Sequence, residues 1–77
     1  MPMTIALQEA EAAAVRGEVP VGAVICDADG TVIARAGNRT EELHDPTAHA
    51  EMLVIREASK IRGSARLPDC DLVVTLE

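Results

Sequence analysis

Residues 45–52 read Asp-Pro-Thr-Ala-His-Ala-Glu-Met, and this stretch predicts the start of a helix that carries a histidine and a carboxylate two residues apart. Asp45 is a good N-cap, because its carboxylate can accept hydrogen bonds from the backbone N–H groups that a helix start leaves unpaired. Pro46 suits the first helical position, where its missing N–H costs nothing. We therefore predict a helix that begins at Asp45 or Pro46, runs to about Arg62 and stops at Gly63.

His49 and Glu51 would lie at the open end of this helix. Two side chains at i and i+2 point apart in mid-helix, but near the terminus both can reach a ligand in front of it. Neutral imidazole is a common zinc ligand, and a nearby carboxylate can transfer protons. A lone histidine near a helix start is more often a structural residue than a ligand, so His-x-Glu by itself makes the pair only a candidate metal and acid–base site.

The composition limits what else the chain can do. The 77 residues include no Phe, Tyr or Trp, and 13 acidic against 7 basic residues give a net charge of −6. This charge has the wrong sign for a nucleic-acid surface, and the chain lacks aromatic rings on which bases stack. No apolar stretch reaches ~18 residues and no basic segment precedes an apolar run, so we expect neither a membrane span nor a signal peptide.

The remaining elements follow from apolar patterns and turn residues. These patterns predict a helix over 4–16, capped by Thr4, strands over 19–26 and 31–36 joined by a turn at 27–30, and a buried strand over 72–76. The order helix-strand-strand-helix-strand predicts an α/β architecture, with helices covering a sheet. Few polar residues occur in 19–26, which indicates burial on both faces. Gly22 marks either a close approach to its backbone or simple packing.

Other side chains that could bind a metal have simpler explanations. Cys26 and Cys70 are far apart and form no Cys-x-x-Cys, so we interpret them as small buried hydrophobic residues in a reducing cytoplasm. Turn chemistry explains the acidic pair Asp27 and Asp29 without a cation. His44 precedes the His-x-Glu pair and is interpreted as a loop histidine, not a second ligand.

Several segments occur in the order and spacing of one family. They are residues 17–25 (Gly-Glu-Val-Pro-Val-Gly-Ala-Val-Ile), 37–39 (Gly-Asn-Arg), 45–51 (Asp-Pro-Thr-Ala-His-Ala-Glu) and 74–77 (Val-Thr-Leu-Glu). On these segments the chain closely resembles the bacterial tRNA-specific adenosine deaminases, within the zinc-dependent cytidine deaminase superfamily. The zinc signature of that group is His-x-Glu followed by Pro-Cys-x-x-Cys.

The resemblance implies a fold, an activity and roles for individual residues. It implies a three-layer α/β/α cytidine-deaminase-like fold with the strand at 19–26 in the centre. It also implies a cytoplasmic homodimer that binds the tRNA anticodon arm and hydrolyses the wobble adenosine to inosine. By the same resemblance His49 is a ligand of one zinc ion per subunit, Glu51 transfers protons, and Asn38 and Ala50 contact the base.

One departure from the family pattern governs these expectations. In the family, Thr-Leu-Glu is followed at once by Pro-Cys-x-x-Cys, whereas this sequence stops at Glu77. We therefore expect residues 1–77 to be the N-terminal part of a single domain, truncated after the third strand, with an incomplete zinc site and no activity alone. Two alternatives stay open: a non-catalytic or split piece of the same fold, and a related deaminase acting on guanine or cytosine.

Overall fold

The computed structural model describes residues 1–75 and contains two helices and three strands. The helices are α1 (Pro2–Val15) and α2 (Ala50–Arg62), and the strands are β1 (Gly22–Cys26), β2 (Val32–Gly37) and β3 (Asp71–Val74). Their order along the chain is the predicted one. Within the described residues, no helix combines the length and the apolar character needed to cross a membrane.

The strands form one sheet with the order β2-β1-β3. Both neighbours run antiparallel to β1, with Gly22 opposite Gly37 on one side and Ala23 opposite Val74 on the other. The predicted central position of the first strand is therefore confirmed. In the part of the chain described here, β2 and β3 each have one unpaired edge.

The two helices cover opposite faces of this sheet. Every residue of β1 is buried, as its apolar sequence predicts. Successive side chains of a strand point to opposite faces. Ala23 and Ile25 pack in one cluster with Val54 of α2, whereas Val24 packs in a second cluster with Ala6 of α1. The three-layer α/β/α arrangement is thus confirmed.

A backbone contact at Gly22 brings α1 close to the sheet. Ala6, Ala10 and Ala13 are the buried residues of α1. A Cβ atom at Gly22 would overlap the carbonyl oxygen of Ala6 and lie 2.6 Å from the amide nitrogen of Ala10. The close-approach interpretation of Gly22 is therefore correct. The spacing of the small residues Ala6, Ala10, Ala13 and Ala14 predicts this close packing, but Ala14 is exposed.

The ends of several elements differ from the predictions. Thr4 does not cap the first helix, because α1 already begins at Pro2 and Met1 occupies the N-cap position without a side-chain bond. The helix ends as predicted: Arg16 is the C-cap and Gly17 follows with φ +84°. The second helix also ends as predicted, at Gly63 in the left-handed conformation. The first strand is shorter than 19–26, since pairing begins at Gly22.

Burial was overestimated at the edge of the fold. Leu72 is 45% exposed, and its neighbours Val73 and Val74 are only partly buried. The outward position of β3 in the sheet leaves it with one neighbouring strand, and α2 packs mainly on β1 and β2. The spacing of Val54, Ile55, Ala58 and Ile61 predicts one core face for the second helix, but only Val54 and Ala58 of these are buried, whereas Ile55 and Ile61 are 39% and 56% exposed. The predicted end of the strand at residue 76 lies outside the described residues.

Candidate functional site

A turn built on Asp45 precedes α2 and corrects the predicted helix start. The Oδ1 atom of Asp45 accepts hydrogen bonds from the backbone N–H (2.8 Å) and the hydroxyl (2.7 Å) of Thr47. The Ala48 N–H donates to the Asp45 carbonyl at 3.0 Å. The Thr47 hydroxyl, with its amide, holds the pKa of Asp45 below the ordinary value. Asp45 therefore caps this local turn, and α2 begins only at Ala50.

His49 and Glu51 lie on either side of the helix start, as the sequence predicts. His49 is the N-cap residue, with an extended backbone (φ −78°, ψ 153°) and an exposed side chain. Its carbonyl accepts from the Leu53 N–H at 3.0 Å, which closes the first turn. Glu51 lies in that turn and is partly exposed. A carboxylate is favoured there because the helix N-terminus is its positive end.

Asn38 supplies the cap that the His49 side chain does not. Asn38 follows β2 directly and is 3% exposed. Its Oδ1 atom accepts from the Ala50 N–H at 2.7 Å, so it satisfies a donor at the start of α2. The structure thus joins two of the predicted substrate residues through one hydrogen bond. Because the side-chain oxygen is engaged in this bond, the side-chain NH₂ group of Asn38 is the part that can donate a hydrogen bond to a ligand.

An open cavity of about 500 Å³ adjoins the helix start. Its walls are formed by Thr40, Glu41, His44, Asp45, Pro46 and His49. Of the predicted site residues, His49 lines this cavity, whereas Asn38, Ala50 and Glu51 are not among its lining residues. The loop histidine His44 belongs to the same wall. The structure therefore brings the candidate zinc ligand His49 to a cavity, with the other predicted site residues on the adjoining turn of α2 and at the end of β2.

Glu18 is a buried acidic residue for which the sequence pattern predicts no role. Its side chain is held by residues 40–42, and only 6% of the residue is exposed. Burial raises the pKa of the Glu18 carboxyl. This effect is outweighed by hydrogen bonds from the Glu41 and Glu42 amides and the Thr40 hydroxyl, and by the nearby charge of Arg16. The pKa of Glu18 therefore lies below its ordinary value. The only sequence signal for this role is an acidic residue beside an apolar strand.

The other potential metal ligands are dispersed. Cys26 is buried and free, and burial, together with the Asp71 and Asp27 carboxylates, raises the pKa of its thiol. Cys70 is also free but only partly buried. Asp27 is used in the hairpin turn, where its Oδ1 atom accepts from the Asp29 and Thr31 amides at 2.9 Å. Over residues 1–75, no group of three or more His, Cys, Asp or Glu side chains could hold a metal ion.

The fold and the His-x-Glu helix start define a class of protein. Residues 2–77 match the family described as the cytidine and deoxycytidylate deaminase zinc-binding region, and the chain belongs to this family. Among its relatives, the tRNA-specific adenosine deaminase of Agrobacterium fabrum is 60% identical over 75 residues, which are 97% of this chain and 49% of that protein. The chain thus spans about half the length of this relative.

Solved structures give the same fold. One comes from a study of A-to-I editing by tRNA:A34 deaminases at the wobble position of transfer RNA. It matches with a TM-score of 0.93 and 59% identity, over 99% of this chain and 58% of that one. Guanine deaminase from Bacillus subtilis matches with a TM-score of 0.88 and 39% identity, over 95% of this chain and 46% of that one. The cytidine-deaminase-like fold and the resemblance found in the sequence are confirmed.

Proposed function

We propose that this chain is the N-terminal part of a zinc-dependent deaminase that converts adenosine to inosine at the wobble position of tRNA. Residues 1–77 would form part of a single domain. The observation that carries the proposal is the start of α2. There His49 faces a cavity, Glu51 occupies the first turn, and Asn38 is bonded to Ala50. The tRNA-specific adenosine deaminase relative supports the choice of substrate.

The described residues supply one part of a zinc site. A catalytic zinc ion usually has three protein ligands, and residues 1–75 contain no group of three suitable side chains. These residues alone therefore do not fit the ion. The exposed imidazole of His49 is suited to be one ligand. We propose that the remaining ligands come from residues beyond this set, in the same protein or in another chain.

Hydrolytic deamination adds water to the purine and releases ammonia, so protons must be moved between oxygen and nitrogen atoms. Glu51 is the proposed carrier, because its partly exposed carboxylate can take one proton from the attacking water and pass it to the ring nitrogen. It would then take the remaining proton of the same oxygen and pass it to the amino group, which leaves as ammonia. Asn38 would orient the base by donating from its side-chain NH₂ group. The Ala50 N–H is already bonded to Asn38, so the proposed contact of Ala50 with the base would involve its other atoms.

The proposed partner is the anticodon arm of a tRNA. The net charge of −6 makes this chain a poor phosphate-binding surface. Basic contacts would therefore lie in another part of the protein or in a second subunit, and we propose a homodimer in the cytoplasm.

A substrate panel tests the proposed activity. The full-length protein is incubated with an anticodon stem-loop that carries a wobble adenosine, with free guanine and with cytidine, and the release of ammonia and the base products are measured. We expect inosine from the stem-loop and no product from the other two. Guanine deamination without inosine would instead favour the second candidate function, which the structural match to guanine deaminase supports.

A zinc titration of the 77-residue chain tests whether it has a metal site of its own. A full ligand set binds structural zinc with ~10–16 kcal/mol, and one imidazole lacks both the thiolate charge and the geometry of such a set. We expect weak binding or none by calorimetry, as a non-catalytic fragment also would show. A stoichiometric, sub-micromolar site that disappears in His49→Ala would contradict this prediction and direct attention to His44, Cys26 and Cys70.

A further inference from the structure

The cavity beside His49 is walled by a loop that closes on itself. The Arg39 N–H donates to the Ala48 carbonyl at 2.9 Å and brings the two ends of the loop together. Inside it, the Asp45 N–H donates to the Thr40 carbonyl at 3.0 Å. Such a compact loop keeps its own shape, but these bonds do not determine where it lies relative to the sheet. Its position needs a contact from another element.

Glu18, in the connection between α1 and β1, makes that contact with both carboxylate oxygens. Its Oε1 atom accepts from the Glu41 N–H at 3.1 Å and from the Thr40 hydroxyl at 3.4 Å. Its Oε2 atom accepts from the Glu42 N–H at 2.8 Å. Hydrogen bonds to an ionised acceptor are stronger than those between neutral groups. A buried carboxylate is withdrawn from water, so it depends on these protein donors to satisfy its two oxygens.

Arg16 supports the same junction from the end of α1. Its Nη2 atom donates to the Asn38 carbonyl at 3.1 Å, and its Nε atom lies 3.4 Å from the Glu42 carboxylate. Asn38 in turn bonds to Ala50, so the loop, the end of β2 and the start of α2 are joined into one unit. Glu18 bonds to the wall residues Thr40 and Glu41 without being one of the residues that line the cavity.

We propose that Glu18 is a positioning residue that fixes the cavity wall at Thr40 and Glu41 and thereby controls how tightly a ligand binds beside His49. The expected consequence for catalysis rests on the function proposed above. The effect of Glu18 on the position of the cavity wall does not depend on that function. Since Glu18 holds the wall from outside the cavity, its loss alters the shape of the ligand site and leaves the proton-transfer group Glu51 in place. The kinetic effect is therefore expected in KM and not in kcat.

Hydrogen exchange in Glu18→Gln tests the positioning directly. Glutamine keeps the shape of the side chain but has a single acceptor oxygen, so its NH₂ group must face either the Glu41 or the Glu42 N–H. Glu11→Gln is the matched control, because it makes the same charge change at an exposed position of α1. In the full-length protein we expect the amides of Glu41 and Glu42 to exchange about tenfold faster in Glu18→Gln than in the control. Amides of β1 should be unchanged.

The outcomes separate the positioning role from a general loss of stability. Equal exchange at Glu41 and Glu42 in the two variants would overturn the proposal. An acceleration that is as large throughout β1 would overturn it too, because Glu18 would then stabilise the whole domain.

Kinetics on the anticodon stem-loop give a second test. In Glu18→Gln, KM should rise about tenfold, with kcat within about threefold of wild type. A fall in kcat at constant KM would also overturn the proposal. A wild-type protein without deaminase activity refutes the proposed function, and the exchange measurement still decides the role of Glu18.

Discussion

Glu51→Gln is expected to lower the turnover of the full-length protein on the anticodon stem-loop by at least ~10²–10⁴-fold, the contribution typical of a general acid–base. Glutamine keeps the size and the hydrogen-bonding capacity of Glu51 but cannot accept a proton at neutral pH. One residue that serves several proton transfers can show a still larger loss. Zinc content and tRNA affinity should survive, since neither depends on this carboxylate in the proposed scheme. Single-turnover inosine formation, metal analysis and tRNA binding on the same sample give the three readouts.

His49→Ala is the matched comparison for Glu51→Gln. If His49 is a zinc ligand, its removal should abolish metal content and activity together. If Glu51→Gln instead stripped the metal, and its residual activity followed the metal content, Glu51 would be a ligand and the two roles assigned here would be wrong. The contrast between the two variants therefore tests the roles of both residues at the start of α2.

Gly22→Ala is expected to destabilise the domain by about 3 kcal/mol or more, the upper end for overpacking a core. The new methyl group would meet backbone atoms, namely the Ala6 carbonyl oxygen and the Ala10 amide nitrogen, and also the Cβ atom of Glu9 at 2.9 Å. Backbone in the middle of α1 cannot turn aside as a flexible side chain can. The helix must therefore move away from β1. Chemical or thermal unfolding of the full-length protein would measure the loss, as a fall in Tm of several degrees.

Gly30→Ala provides a control that separates crowding from backbone strain. No atom lies within 4 Å of a Cβ at Gly30, but its φ of +82° is unfavourable for alanine. A left-handed residue other than glycine costs roughly 1–2 kcal/mol, so Gly30→Ala should destabilise less than Gly22→Ala. If Gly22→Ala were as stable as Gly30→Ala, or more stable, α1 would not lie against β1 as the structure shows.

The order of elements was predictable because each apolar pattern has its own period. A run without polar residues predicted the fully buried strand β1, and the sequence around Asp27 predicted its hairpin turn. Helix ends were predictable where a glycine adopts a left-handed conformation, as at Gly63. The degree of burial was not predictable at Leu72 and Ile55, because sequence patterns indicate which face is apolar but not whether another element covers that face.

The candidate site was predictable in its residue types and less so in its geometry. The His49 and Glu51 pair was recognised from spacing and from the family resemblance, and both lie at a helix start as predicted. Asp45 was assigned to the wrong cap, because a hydrogen bond to Thr47 two residues away is a local alternative to capping a helix. The cap on Ala50 comes from Asn38, twelve residues earlier in the chain, and no local pattern indicates it.

The sequence by itself determined the elements, their order and the side chains available for chemistry, since these depend on local propensity, apolar period and turn residues. Only the tertiary structure decided where α2 begins, how Asn38 reaches Ala50, and that Glu18 holds residues 40–42. The physical reason is common to all three. A backbone N–H can donate to any well-placed oxygen, and folding alone determines which distant oxygen reaches it.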